Sequence, residues 1–82
     1  MIELKNINLD GVTIKKQIDK VHEEVNEFEQ AVIKGDVDNS IEEFFDLVQA
    51  SLGALHKMGL SAEYVMDQYP KHIEKLKFRP RD

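Results

Sequence analysis

Apolar residues along the first half of the chain recur at the three- and four-residue spacing of an α-helix. Side chains at this spacing share one helix face. We therefore predict a first helix over residues 12–34, with Asp10 as its N-cap and Gly35 as its C-terminal stop. The apolar positions of this helix are Ile14, Ile18, Val21, Val25, Phe28 and Val32.

A second stretch carries a broader apolar face. We expect this helix to begin at Asn39 or Ser40, where Asn39 with Glu42, or Ser40 with Glu43, forms a capping box, and to end at Gly59. At about 100° per residue its apolar positions cover roughly half of the helix circumference. We therefore expect contacts both with its own chain and with a second copy. These positions are Ile41, Phe44, Phe45, Leu47, Val48, Leu52, Leu55 and Met58.

The last third of the chain predicts shorter helical pieces. Ser61 is a candidate cap for a third helix over residues 61–68. Pro70 lacks a backbone donor, so we expect a kink or a restart there, followed by a short helical segment over residues 71–77. Residues 1–10 are expected to form a short extended arm, and residues 78–82 to be frayed. The predicted fold is all-α: a single domain over residues 1–82 in which an antiparallel helical hairpin and short C-terminal helices complete a four-helix-type bundle by oligomerisation.

Composition narrows the class of protein. An 82-residue chain is one domain, and a domain of this size needs tight helix packing or oligomerisation to be stable. The absence of cysteine rules out disulfides and a cysteine-based zinc site, and it agrees with a reducing cytoplasm. A formal net charge of −5 argues against binding a nucleic-acid polymer. The longest apolar runs are too short for a membrane span.

Two pairs of carboxylates stand at the borders of the predicted apolar faces. Glu24 and Glu27 share one flank of the first helix, while Glu23 points to solvent; Glu43 and Asp46 share a sector of the second helix. Like charges three residues apart repel each other. Because antiparallel neighbouring helices bring these pairs together, a hard divalent cation is one way to offset the repulsion.

The chemistry of the side chains narrows the choice of cation. An all-oxygen ligand set favours Mg²⁺ or Mn²⁺ over Zn²⁺. A di-iron bundle needs two Glu-x-x-His motifs, whereas this chain offers only Asp19 with His22, so we set that class aside. The three histidines are expected at the surface. The alternative remains that the acidic pairs are solvated helix faces, since 16 of the 82 residues are acidic.

The segments "EEVNE" and "EFFD" together resemble the E-E-x-x-E … E-x-x-D signature of the MazG-like all-α nucleoside triphosphate pyrophosphohydrolases. That superfamily also includes dimeric dUTPases and phosphoribosyl-ATP pyrophosphohydrolase. The resemblance covers residues 20–55. It implies a helical bundle built by dimers, or dimers of dimers, and hydrolysis of a nucleoside triphosphate to the monophosphate and pyrophosphate.

The resemblance also implies roles for particular residues. The Mg²⁺ ligands are then Glu24, Glu27, Glu43 and Asp46, and Glu23 is a supporting residue. Candidate phosphate contacts are Lys20, Lys71, Lys75 and Arg79, whose alternative role is to balance charge in an acidic protein. The alternative function is a non-catalytic helical oligomer that acts as a nucleotide-binding or regulatory interaction module.

Overall fold

The computed structural model describes residues 9–79, which form four helices and no strand. The all-α prediction is confirmed, including the helical hairpin. Residues 1–8 of the expected arm and residues 80–82 of the expected frayed end lie outside the described residues. None of the described helices has an apolar stretch long enough to cross a membrane. The helices are α1 (Ile14–Lys34), α2 (Val37–Lys57), α3 (Ala62–Asp67) and α4 (Tyr69–Lys77).

The start of α1 differs from the predicted cap at Asp10. Leu9 to Val12 form a turn in which the Val12 N–H donates to the Leu9 carbonyl, 3.0 Å away, and Gly11 takes a φ of 76°. Asp10 lies within this turn, where Gly provides the positive φ that few other residues adopt. Thr13 caps the helix instead, because its hydroxyl oxygen accepts from the Lys16 N–H at 3.1 Å.

The connection from α1 to α2 is shorter than predicted. Gly35 ends α1 as expected, with a φ of 73°. Asp36 follows this stop, and its N–H donates to the Ala31 carbonyl. Asp36 is also the N-cap of α2, because its side chain accepts from the Asn39 N–H at 3.1 Å. The predicted caps at Asn39 and Ser40 are therefore wrong, since both residues already lie in the first turn of α2.

The predicted end of α2 and the predicted C-terminal helices agree more closely with the structure than the predicted helix starts do. α2 ends at Lys57, and Gly59, with a φ of 89°, reverses the chain while the Leu60 N–H donates to the Leu55 carbonyl. The side chain of Ser61 caps α3, as predicted. α4 restarts at Tyr69 with Pro70 in its first turn, where the missing donor costs no helical hydrogen bond.

The buried part of the contact between α1 and α2 consists mainly of small and polar residues. The buried residues of α1 are Gln17, Glu24 and Ala31, spaced seven apart. Facing them, Gly53 lets α1 approach so closely that a Cβ atom there would lie 2.6 Å from Gln17 Nε2. That nitrogen donates a buried hydrogen bond to the Ala50 carbonyl at 2.9 Å.

The chain alone buries little apolar surface. Among the described residues, the buried apolar side chains are Ala31, Ala50 and Leu52, and no large side chain is fully buried. Most of the apolar stripe of α1 lies beside this contact, with Ile14 53% and Val25 42% exposed. Phe28 of the stripe does contact α2, since its ring centroid lies 6.2 Å from that of Phe44. On α2 the rings of Phe44 and Phe45 contact each other but remain about half exposed.

Candidate metal and nucleotide site

Five carboxylates from α1 and α2 lie together where the two long helices meet. Oxygen atoms of Glu23, Glu24 and Glu27 lie within 4.8 Å of one another, and so do oxygen atoms of Glu24, Glu43 and Asp46. Glu24 belongs to both groups. The carboxylate cluster, defined as these five residues, therefore has Glu24 at its centre.

The helix contact explains this convergence. Glu24 is seven residues after Gln17 and seven before Ala31, so it lies in the buried seam of α1. On α2, Glu43 and Asp46 precede Ala50 and Gly53, whose small side chains permit the close approach. The short link between the helices holds this register.

Two oxygens of the cluster are buried and have no hydrogen-bond partner in the part of the chain that the structure describes. Glu24 is only 5% exposed, and its Oε1 lies 2.9 Å from Lys20 Nζ. Its Oε2, like Oε2 of Glu43, is buried without a hydrogen-bond partner among the described residues. A buried carboxylate oxygen left unpaired is costly. An oxygen-preferring divalent cation fits both the donor set and these unpaired atoms.

The charges of the cluster perturb two side chains. Burial raises the pKa of Glu43 above its ordinary value of 4.5, and a side-chain hydrogen bond with Glu27 and the negative charges of Glu27, Asp46 and Glu24 raise it further. The pKa of Lys20 is raised above 10.5, chiefly by its hydrogen bond to Glu24. Glu43 therefore holds a proton more readily than an isolated carboxyl group, and Lys20 stays charged.

A cleft of about 440 Å³ adjoins the cluster. Lys20, Glu24 and Asp46 line its charged side. Its other walls are the apolar Leu9 and Val12 and the amide side chains of Gln17 and Gln49, none of which the sequence analysis singled out. Helical spacing was a usable signal for the two amides, since Gln17 precedes Glu24 by seven residues and Gln49 follows Asp46 by three, so each shares a helix face with a carboxylate.

The other predicted residues have different surroundings. Lys71 and Lys75 belong to α4, and within the part of the chain that the structure describes, α4 contacts α3 but neither long helix. Arg79 follows the end of α4. These three do not reach the cluster of their own chain, and their role as phosphate contacts stays a prediction. Glu23, expected in solvent, is exposed yet joins the α1 group of carboxylates.

The histidines lie at the surface, as predicted. His22, His56 and His72 are all exposed, and none belongs to a group of potential metal ligands among residues 9–79. The polar groups of the candidate site are therefore carboxylates, amides and one lysine. This composition favours ligands that combine a hard cation with anionic groups.

These features define a class: an all-α protein with a carboxylate cluster between two helices and, beside it, a cleft lined by both polar and apolar residues. Comparison with known protein families matches residues 4–72 to phosphoribosyl-ATP pyrophosphohydrolase, and the chain belongs to that family. Comparison with curated proteins and with solved structures gave no match. The pyrophosphohydrolase class implied by the sequence is thus supported, while the narrower MazG-like assignment stays a prediction.

Proposed function

We propose that this protein is a Mg²⁺-dependent nucleotide pyrophosphohydrolase that converts a nucleoside triphosphate to the monophosphate and pyrophosphate. The observation that carries the proposal is a pair of buried oxygens on adjoining helices, Oε2 of Glu24 and Oε2 of Glu43, which have no hydrogen-bond partner within residues 9–79. Family membership supports pyrophosphate release as the reaction class. In this reaction water forms a bond to the α-phosphorus, and the bond from that phosphorus to the bridging oxygen of pyrophosphate breaks.

In this proposal Glu24, Glu27, Glu43 and Asp46 hold the cation, and Glu23 supports them from the exposed side. Mn²⁺ is the expected substitute for Mg²⁺, since both prefer oxygen ligands. When bound, the cation supplies Lewis-acid polarisation of phosphate oxygens and charge neutralisation. The carboxylates themselves are acceptors only, so they bind a phosphate chain through the cation and not directly.

The cleft suits the remainder of the nucleotide. Lys20 offers three donors to phosphate oxygens on the side where Glu24 and Asp46 lie. Gln17 and Gln49 offer amide groups for polar edges of the sugar or base, and the cleft volume of about 440 Å³ falls within the usual range for small-molecule sites. The cleft is therefore the proposed nucleotide site.

We also propose that the working form is an oligomer of this chain, acting in the cytoplasm. The accessible surface is 6575 Å², whereas a compact monomer of this mass exposes about 5000 Å². The radius of gyration is 14.4 Å, against about 12 Å for a compact domain of this length. The excess area and the exposed stripe of α1 support packing against a second copy of the chain. The α4 helix of that copy could bring its Lys71 and Lys75 to the cluster.

The test is incubation of the protein with a panel of NTPs, dNTPs and phosphoribosyl-ATP in the presence of Mg²⁺. The expected result is pyrophosphate and a monophosphate from at least one nucleotide. Glu24→Gln should lower this rate by at least about 100-fold, since even residues outside the first ligand shell cost 10–100-fold when changed. Folded protein that binds nucleotide but turns over none of the panel would instead support a nucleotide-binding or regulatory module.

A further inference from the structure

Lys20 forms an ion pair with a carboxylate that is also a potential ligand of a cation. Its Nζ lies 2.9 Å from Glu24 Oε1 and 3.5 Å from Glu23 Oε1. Glu24 is the carboxylate shared by both groups of potential ligands. Among residues 9–79, Lys20 is the basic side chain that forms ion pairs with the cluster. The ammonium group thus neutralises part of the cluster at its central residue.

The side chain of the same lysine has room to change its conformation. Its side chain is about half exposed, whereas that of Glu24 is buried. The four-carbon stem is flexible, and the ammonium group is a compact charge that binds phosphate as readily as carboxylate. Lys20 also lines the adjoining cleft. Lys20 therefore pairs with Glu23 and Glu24, and any anionic group that enters the cleft is a further acceptor within its reach.

We propose that Lys20 is a displaceable counter-ion that couples cation binding to phosphate binding, an inference that rests on the proposed function. Without a cation, Lys20 holds Glu24 and competes with metal for Oε1. With a divalent cation held by Glu24, the ammonium group of Lys20 would leave that carboxylate, because like charges repel, and would turn into the cleft that it lines. There its charge becomes available to the phosphates of the nucleotide.

The proposed coupling predicts that removing the ammonium group of Lys20 changes the cation affinity and the phosphate affinity in opposite directions. Removing the ammonium group leaves the cluster more negative and frees Glu24, so the cation should bind more tightly. The phosphate groups then lose a partner and should bind more weakly. A lysine with a purely structural role would not move the two affinities in opposite directions. Reciprocity of linked equilibria requires that the cation and the phosphate strengthen each other's binding less when Lys20 is absent.

The experiment compares the wild-type protein with Lys20→Met, Lys20→Arg and Lys34→Met by titration calorimetry. Lys34 is exposed at the far end of α1 and serves as the control for the loss of one positive charge. The first titration uses Mg²⁺ alone, and the second uses inorganic pyrophosphate at saturating Mg²⁺. Salt at 0.15 M limits the effect of distant charges to about 8 Å. Far-UV circular dichroism establishes that each variant is folded.

For Lys20→Met we expect Mg²⁺ to bind about 10-fold more tightly and pyrophosphate about 10-fold more weakly, within the range typical of coupled sites. Lys20→Arg and Lys34→Met should stay near the wild-type values. If Lys20→Met binds Mg²⁺ no more tightly than the wild-type protein, Lys20 does not compete with the cation for Glu24. If Lys20→Met binds pyrophosphate with full affinity, Lys20 does not contact the phosphate groups. Either result overturns the proposal. Wild-type protein that binds no Mg²⁺ would overturn the proposed cation site as well, so the two failures are distinguishable.

Discussion

Glu24 on α1 and Glu43 on α2 each bury a carboxylate oxygen that has no hydrogen-bond partner among the described residues. Both belong to a single group of oxygen atoms that spans the two helices. Buried, unpaired acceptors of this kind destabilise a fold unless a cation or donor satisfies them. The relationship between these two residues therefore links the stability of the hairpin to the occupant of the site.

The first prediction concerns stabilisation by Mg²⁺. At a concentration 100-fold above its dissociation constant, Mg²⁺ should stabilise the native state by about 2.7 kcal/mol. Glu43→Gln should remove most of this gain, because it deletes a proposed ligand. Glu42→Gln, one residue away and exposed, is the matched control and should keep it. Urea unfolding with and without Mg²⁺ measures both, and an equal Mg²⁺ response in the two variants would contradict the prediction.

The second prediction concerns pH in the absence of metal. The pKa of Glu43 is raised in the folded protein, so the native state binds the proton more readily than the unfolded chain. By linkage, this residue should lower the free energy of unfolding as pH rises from about 4.5 through the folded pKa. Glu43→Gln cannot ionise and should escape this loss.

Urea unfolding in EDTA at a series of pH values tests the pH prediction. The stability of Glu43→Gln relative to wild type should increase from acidic to neutral pH. Glu42→Gln should show no comparable increase. A constant difference between Glu43→Gln and wild type across the series would argue against a raised pKa at Glu43.

The third prediction concerns the packing of Gln17 against Gly53. Gly53→Ala should destabilise the protein by about 1 kcal/mol, since the new Cβ displaces Gln17 Nε2 from its buried hydrogen bond, which outweighs the gain in helix propensity. In a Gln17→Ala background the same change should instead stabilise by about 1 kcal/mol. Denaturant unfolding of the four proteins of this cycle gives the coupling energy. Equal effects in both backgrounds would show that the two side chains do not interact.

The fourth prediction concerns self-association. Val25 lies in the middle of the exposed stripe of α1 and is 42% exposed, whereas Ile33 lies off the stripe and is 70% exposed. Val25→Lys should weaken oligomerisation by at least about 10-fold, because it forces a charge into an apolar interface. Ile33→Lys should leave association near the wild-type level. Sedimentation equilibrium measures both, and a wild-type protein that is monomeric at all concentrations would rule out the proposed oligomer.

Periodicity in the sequence was enough to predict the helices and the hairpin, because apolar spacing and glycine stops act locally. The stops at Gly35 and Gly59 and the cap at Ser61 follow from single residues and their neighbours. The starts of α1 and α2 were placed wrongly. Both depend on competition between adjacent polar residues, in which Thr13 and Asp36 make the capping bonds.

The acidic motif predicted that carboxylates of the two helices lie close together, and the structure groups Glu24 with Glu43 and Asp46. Glu27 instead groups with Glu24 and with Glu23, which was expected in solvent. Which carboxylate is buried was decided by tertiary structure alone. Gly53 admits Gln17, that contact sets the register of α1 on α2, and the register buries Glu24 beside Glu43. Burial depends on the separation of two helices, and no local pattern encodes that distance. The cleft has the same origin, because it exists only where the packed helices enclose it. The contact of Lys20 with Glu24, by contrast, follows from their four-residue spacing on α1.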